Sequence, residues 1–419
     1  MLNKIIWVVA TILLMYSGIY FTIKLKGVQF NLLKMVKGLH KNEETTISPF
    51  QSLMLSTAAK IGVGSISGIA IALYFGNEGT IFWLWVTSFF LAPNAYVESL
   101  FGAKFKEKNN GLYKGGPSYY IKKGLNNKEL SIIYAILVIT LYILCFSSIQ
   151  SNTIATSIYH TYHINKTFLA ITITAVSAVI IFKNIKDLIK IISYFVPIMC
   201  VFYLVIGVSV ILHNADQFPN LFKKILIEAF NFKAFFSGFL TSFIMGIQRG
   251  IFASEAGIGT GAIAAATSDT KDYKSQGYTQ MLGVYFTSLI ICTISALLIL
   301  TSPYKDITLQ NINGIEISLF ALKHHLGTFG ELFLIISIVL FAFSTIIAGY
   351  YYGESNLAFL TKKTSKLLLF LFKCFVLLIL YLGATSNPSI LWNISDFVIG
   401  LLSIINVYSI LKLYRQGNI

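Results

Sequence analysis

Charge is scarce in this chain. Only 12% of its 419 residues are Asp, Glu, Lys or Arg, 56% are hydrophobic, and the mean hydropathy is +0.73. A soluble domain carries about 25% charged residues, so too little polar surface remains here to cover a water-soluble core. Cysteine and histidine are few as well. Cys145, Cys200, Cys292 and Cys374 all fall inside apolar runs without C-x-x-C spacing, which reads them as small buried hydrophobes. The six histidines sit in loops or at segment ends without ligand spacing, so no metal centre or cofactor is expected. The convergent carboxylates or Ser/His pair of a membrane enzyme are missing, as are the charge rings or repeated filter loops of a channel. A net charge of +15 would suit a nucleic-acid binder, but no basic stripe interleaved with stacking aromatics accompanies it.

Long apolar runs are what the chain has instead. Stretches that can span a bilayer, roughly 17–25 residues each, fall at 5–23, 50–75, 79–101, 131–158, 167–182, 189–212, 232–252, 276–301, 328–352, 366–383 and 387–411. They predict an all-α integral membrane protein of eleven transmembrane helices, because lipid admits only helices or closed barrels and period-two alternation is absent. The first run is too long for a signal-peptide core and has no small-x-small cleavage site before Lys24, so it reads as a membrane helix. Alternate loops hold twenty-two Lys and Arg on one side of the membrane and seven on the other. The positive-inside rule therefore puts the N-terminus outside and the C-terminus in the cytoplasm of a multi-pass cell-membrane protein.

Three segments break the pattern of a plain membrane helix, and such breaks are where function is expected. Around Ala58, Lys60, Ile61, Gly62, Val63, Gly64 and Ser65 the second segment carries glycines that weaken a helix by about 1 kcal/mol each relative to alanine. Two readings stand: close helix packing through small residues, or a discontinuous helix whose N–H groups meet a carboxylate and whose carbonyls meet a cation. Lys60 in its middle must face water, pair, or lose its proton, because a charge at a helix centre costs about 2.5–3.5 kcal/mol. The seventh segment starts at Phe235 and Phe236 and ends on Gly246 to Gly250, followed by the small-residue stretch Glu255 to Gly261. Arg249 and Glu255 either pair as a cytoplasmic gate or snorkel separately to water. In the ninth, the hydroxyls of Ser344 and Thr345 either bond back to the preceding turn or offer oxygen to a hard cation. Five segments separate the second from the seventh, the offset of two inverted repeats. The expected organisation is a peripheral helix and loop (1–48), two five-helix repeats (49–212 and 213–411) and a cytoplasmic tail (412–419).

Several blocks carry a family resemblance: Ile47-Ser48-Pro49-Phe50-Gln51, Gly76 to Val86, Gly115-Gly116-Pro117-Ser118-Tyr119-Tyr120-Ile121, Arg249-Gly250-Ile251-Phe252 with Glu255-Ala256-Gly257, Met281 to Val284, and Phe341 to Thr345. In order and spacing the chain resembles the alanine or glycine:cation symporter family over nearly its whole length. The resemblance implies a leucine-transporter-type fold, with inverted repeats of five helices each plus one extra N-terminal helix, and sodium-coupled uptake of small neutral amino acids such as alanine and glycine. It assigns the substrate carboxylate to the backbone at Gly62, Val63 and Gly64 beside Ser65, and the walls of the site to Gln150, Phe235, Phe236 and Trp392. It assigns a sodium ion to Ser344, Thr345 and the carbonyls of Ala58 and Ile61.

The chain departs from that family's pattern at the break. Where the family reads T-V-G-T-G-N, Lys60, Val63 and Ser65 stand for the first Thr, the second Thr and the Asn; Ala253-Ser254 stand for the Ser-Asn before Glu255. Lys60 so placed opens an alternative, proton-coupled and sodium-independent transport in which its ammonium replaces a cation. An amino-acid sensor of the same fold is the alternative without transport.

Overall fold

The computed structural model describes residues 2–40, 46–109, 111–232, 238–306, 314–361 and 365–417. Helix α1 (Leu2–Lys24) leads through α2 (Leu32–Lys37) to α3 (Pro49–Lys60) and α4 (Ser67–Gly76), two short helices that meet at 63°. After α5 (Gly79–Lys104) come a hairpin of β1 (Glu107–Asn109) and β2 (Leu112–Lys114), then α6 (Pro117–Gly124). Helix α7 (Lys128–Ile139) continues through a π-helical stretch into α8 (Ser147–Tyr162), followed by α9 (Lys166–Ile181), α10 (Ile185–His213) and α11 (Phe218–Ala229). Then come α12 (Leu240–Ser254), α13 (Gly261–Thr267) and α14 (Tyr273–Val284), the last joined by a second π-helical stretch to α15 (Cys292–Leu300). Helices α16 (Gly314–Thr361), α17 (Lys366–Thr385) and α18 (Pro388–Arg415) follow.

The all-α expectation holds; among the described residues the only β structure is the hairpin of β1 and β2, three residues each. Among the described residues eight helices are long and apolar enough to cross a membrane, nine if the bent pair of α3 and α4 is taken as one span. Helices α9 and α12, at 16 and 15 residues, are the shortest of the expected spans. The expected span 328–352 lies within α16, after Gly327 turns the chain at φ 60°. One sequence reading needs correction: Cys374 is exposed, because α17 packs on the outside of the bundle, over α8 and α9. Helix α5 runs through the middle, against α1, α11, α12, α13 and α14, while α16 packs on α3, α4, α7, α8 and α10.

The local chemistry fixes the broken span at both ends. Ser48 caps α3 in a reciprocal capping box with Gln51, and Pro49 supplies a first-turn residue that needs no N–H partner. At the far end, the buried Glu78 between α4 and α5 accepts from Lys224 and Lys305, both at 2.8 Å. Burial alone would raise the Glu78 pKa, yet the two ammonium groups and its own backbone hold it down to about 2. A carboxylate so depressed stabilises the fold fully above its unfolded pKa near 4.5, and loses that contribution as pH falls towards 2. Glu78→Gln is therefore expected to lower the melting temperature at pH 7 by a few degrees and to flatten the pH dependence between about 4.5 and 2. Thermal unfolding of both proteins over that range checks it; parallel curves would contradict the assignment.

Candidate functional site

At the end of α3 the backbone leaves the helical region. Ile61 takes φ −87° and ψ 81°, Gly62 is extended at φ −127° and ψ −152°, and a 3-10 turn over Val63–Ser65 leads into α4. The second segment is therefore a discontinuous helix, not merely a closely packed one. Its groups are met from two sides. From α16, Thr345 Oγ1 lies 2.8 Å from the Ala58 carbonyl and 3.0 Å from that of Phe341. From α8, Gln150 Oε1 accepts the Val63 N–H at 3.1 Å. Ser344 takes the simpler alternative, bonding back to Phe341 at 2.8 Å. Ser65 closes the turn by donating to the Gly62 carbonyl at 2.9 Å.

Gly62 and Gly64 are what allow this approach. A Cβ on Gly62 would stand 2.4 Å from Thr345 Oγ1 and 2.9 Å from Gln150 Nε2; one on Gly64 would stand 2.3 Å from the Phe252 ring. Gly62→Ala is thus expected to push Thr345 and Gln150 off the break, reducing amino-acid uptake to background while the protein still inserts and folds. Uptake in liposomes, with the chromatographic profile of the purified variant as control, checks it; wild-type uptake would remove the break from the mechanism.

Above the break, aromatic rings form a lid. Phe252 packs between Phe146 and Trp392, with centroids 4.9 and 5.1 Å away, and Arg249 stacks 5.0 Å over Trp392. The Arg249 guanidinium is buried, pairs with Asp396 at 3.3 Å, and leaves Nε and Nη1 without partners. Neither of the two sequence readings describes Arg249: it is buried rather than snorkelling to water, and its partner is Asp396 rather than Glu255. Glu255 lies past the end of α12 in a left-handed backbone conformation, and its carboxylate is taken by Tyr142 and Thr260. Beyond the lid lies a polar cleft of about 340 Å³, reached from the helix ends opposite the lysine-rich loops and lined by Asn152, Gln248, Arg249, Trp392, Asn393 and Asp396 among others.

Glu255 belongs to a second cluster, on the lysine-rich side. It follows α12 with φ 53° and accepts from Tyr142 and, at 2.9 Å, from Thr260. Glu98 on α5 accepts from the Gly257 N–H at 3.2 Å and from Asn406 Nδ2 at 2.8 Å; Asn406 in turn is held by Tyr120. Tyr134 donates to the Ile258 carbonyl at 2.6 Å and Asn406 to that of Gly257 at 2.9 Å, so helices α5, α7 and α18 all grip the turn before α13, with α6 holding Asn406 in place. Lys60 is buried at 4% exposure beside this cluster, its Nζ and Glu98 Oε1 both facing Gly261. Among the described residues its Nζ makes no ion pair within 4 Å, and a Cβ on Gly283 or Gly261 would lie 3.5 or 3.9 Å from it.

The structure thus brings together Ala58, Gly62, Val63, Gly64, Gln150, Ser344 and Thr345, with Trp392 and Arg249 at the lid and Lys60 and Glu255 below. Phe235 and Phe236 lie outside the described residues. Sequence reasoning missed Asp396, Phe252, Phe146, Glu98, Tyr142 and Asn406. Glu98 carried a usable signal, an acid inside an apolar run, which demands a partner.

A broken membrane helix whose backbone is met by polar side chains of neighbouring helices is an arrangement found in secondary transporters. A family profile described as the sodium:alanine symporter family matches residues 1–417, and the chain belongs to that family. Similar proteins include a probable sodium/glutamine symporter, GlnT, of Bacillus subtilis, 36% identical across 99% of this chain and 87% of that protein. The amino-acid carrier protein AlsT of Bacillus subtilis is 34% identical, covering 97% and 87%. The sodium/alanine symporter AgcS of Methanococcus maripaludis is 31% identical, covering 98% and 93%. The protein is a cation-coupled amino-acid transporter of the membrane, not an enzyme.

Proposed function

We propose that the protein is a sodium-coupled symporter of small neutral amino acids, alanine and glycine foremost. The observation that carries this reading is the pairing of the Thr345 hydroxyl with the Ala58 carbonyl, one helical turn before the non-helical backbone at Gly62. Two neutral oxygens brought together in a dry interior are ligands suited to a small hard cation, and with Ser344 and the Ile61 carbonyl they form the sodium site. The substrate carboxylate takes the N–H groups of the break, displacing Gln150 Oε1 from Val63. The tightness of Phe252 against Gly64 favours a hydrogen or methyl side chain. Glutamine, which the name of one relative suggests, requires the lid to lift towards the polar cleft.

Counting α9 and α12 with the nine spans gives eleven, read as two inverted repeats of five over 49–212 and 213–411 plus α1. The lysine bias orients the N-terminus outside and the C-terminus in the cytoplasm. Arg249 with Asp396 is then the outer gate, and the Glu255–Glu98 cluster with Lys60 the inner one. Proton coupling is the second reading, favoured by the burial of Lys60 beside two carboxylates.

Trp392 at the lid supplies a reporter. Alanine added to the purified protein in sodium buffer is expected to change tryptophan fluorescence saturably, and Trp392→Phe to abolish the change. The same titration in choline buffer should show weaker binding by at least about tenfold. Equal affinity in both buffers would overturn the sodium assignment, and tighter binding of glutamine than alanine would overturn the substrate.

A further inference from the structure

We propose that the cavity between the α9–α10 turn and α17 is a binding site for the phosphodiester headgroup of an anionic phospholipid. The cavity holds about 550 Å³ and lies on the lysine-rich side of the bundle, away from the broken helix. Four ammonium groups line it: Lys183 and Lys186 from the turn and the start of α10, Lys366 and Lys373 from α17. Among the described residues none of the four makes an ion pair within 4 Å. Two carboxylates share the lining. Glu354 is already engaged, 3.7 Å from Lys114 Nζ and 2.6 Å from the Tyr350 hydroxyl, which leaves Asp187 against four lysines.

Like charges do not converge on a cavity without a cost, and an anion in its centre removes that cost. Lys373 is the most telling of them. It stands two turns inside an apolar helix, half-buried, 5.1 Å from the Phe182 ring and 5.9 Å from that of Tyr350. A lysine that only sought water would extend along the surface to the helix end; this one turns into the cavity wall.

The remaining walls say that the anion is part of an amphiphile. Phe182 and Phe370 lie at the rim with centroids 6.0 Å apart, and both are exposed, as are Leu367 and Leu371 beside them. Helices α10 and α17 are among the least enclosed of the long helices, so the rim meets lipid directly. Basic cavities between helices, opening on an acyl-facing surface, are how headgroups are held. The floor of the cavity is Glu354 of α16, the helix that carries Ser344 and Thr345, so an occupant here braces the turn and α17 against the helix of the cation site.

The experiment uses the full chain, delipidated in neutral detergent, titrated separately with phosphatidylglycerol, phosphatidylcholine and inorganic phosphate. Native mass spectrometry counts bound lipid and thermal unfolding reports stabilisation. Phosphatidylglycerol is expected to be retained and to raise the melting temperature, with affinity about fivefold weaker for each of Lys183→Gln and Lys373→Gln. Lys373→Arg should keep the affinity, and so should the distant control Lys271→Gln/Lys274→Gln. Should Lys373→Gln fail to fold, Lys183→Gln and Lys366→Gln carry the test. Equal retention of phosphatidylcholine, or unchanged affinity in the glutamine variants, would overturn the proposal. Stabilisation by inorganic phosphate as strong as that by phosphatidylglycerol would make it a free-anion site and overturn the lipid assignment.

Discussion

Thr345→Val is expected to weaken the sodium dependence of uptake by roughly 10–100-fold, the range for losing one polar contact to a charged partner. Valine keeps the branched shape, so packing against the break persists while the oxygen 2.8 Å from the Ala58 carbonyl is lost. Ser344→Ala should have the smaller effect, because its hydroxyl is bonded to its own helix at Phe341. Uptake as a function of sodium concentration separates the cases. A shift in half-saturating sodium with maximal rate preserved marks an ion ligand. An unchanged sodium curve for Thr345→Val would remove this residue, and with it the proposed cation site.

The second large effect concerns Lys60. Its amine is buried beside the carboxyl groups of Glu98 and Glu255, and removing one member of a buried charge cluster typically costs about 3–5 kcal/mol. Lys60→Met is expected to destabilise the protein by that order. Lys60→Met/Glu98→Gln, which also removes an opposing charge and keeps an acceptor for Asn406, should recover most of the loss. Melting temperatures of the two single variants and the double variant form the cycle. If Lys60→Met and Glu98→Gln lose stability additively, the two residues are not coupled and the inner cluster is misread. The same variants address coupling: under the sodium reading the double variant retains sodium-driven uptake, and under the proton reading it loses uptake driven by pH.

Those two residues also show what a sequence displays and what it conceals. Lys60 announced itself because a charge among Ala58, Ala59, Ile61 and Gly62 breaks a local rule that needs no knowledge of the rest of the chain. The same holds for the run of glycines that becomes the break, and for the apolar lengths that become the long helices. Partners are another matter. Thr345 and Ala58 are 287 positions apart, Asn406 and Glu98 are 308 apart, and Arg249 and Asp396 are 147 apart. Nothing local ties such pairs together. Glu255 is the acid nearest Arg249 in sequence, yet Arg249 pairs with Asp396 while Glu255 is held by Tyr142 and Thr260. Aromatic lids are concealed for a further reason: Phe252 and Phe146 are two of 34 phenylalanines, and composition cannot distinguish a lid from lipid-facing bulk.

Under the proposed function, a sodium gradient drives small amino acids through the break between α3 and α4. Uptake of labelled alanine into liposomes holding the purified protein, with sodium and proton gradients imposed separately, tests it most directly. Inward sodium at equal pH should drive accumulation above equilibrium, and an inward proton gradient without sodium should not. Accumulation driven by protons and indifferent to sodium would contradict the account, and no uptake of alanine or glycine under either gradient would contradict its substrate.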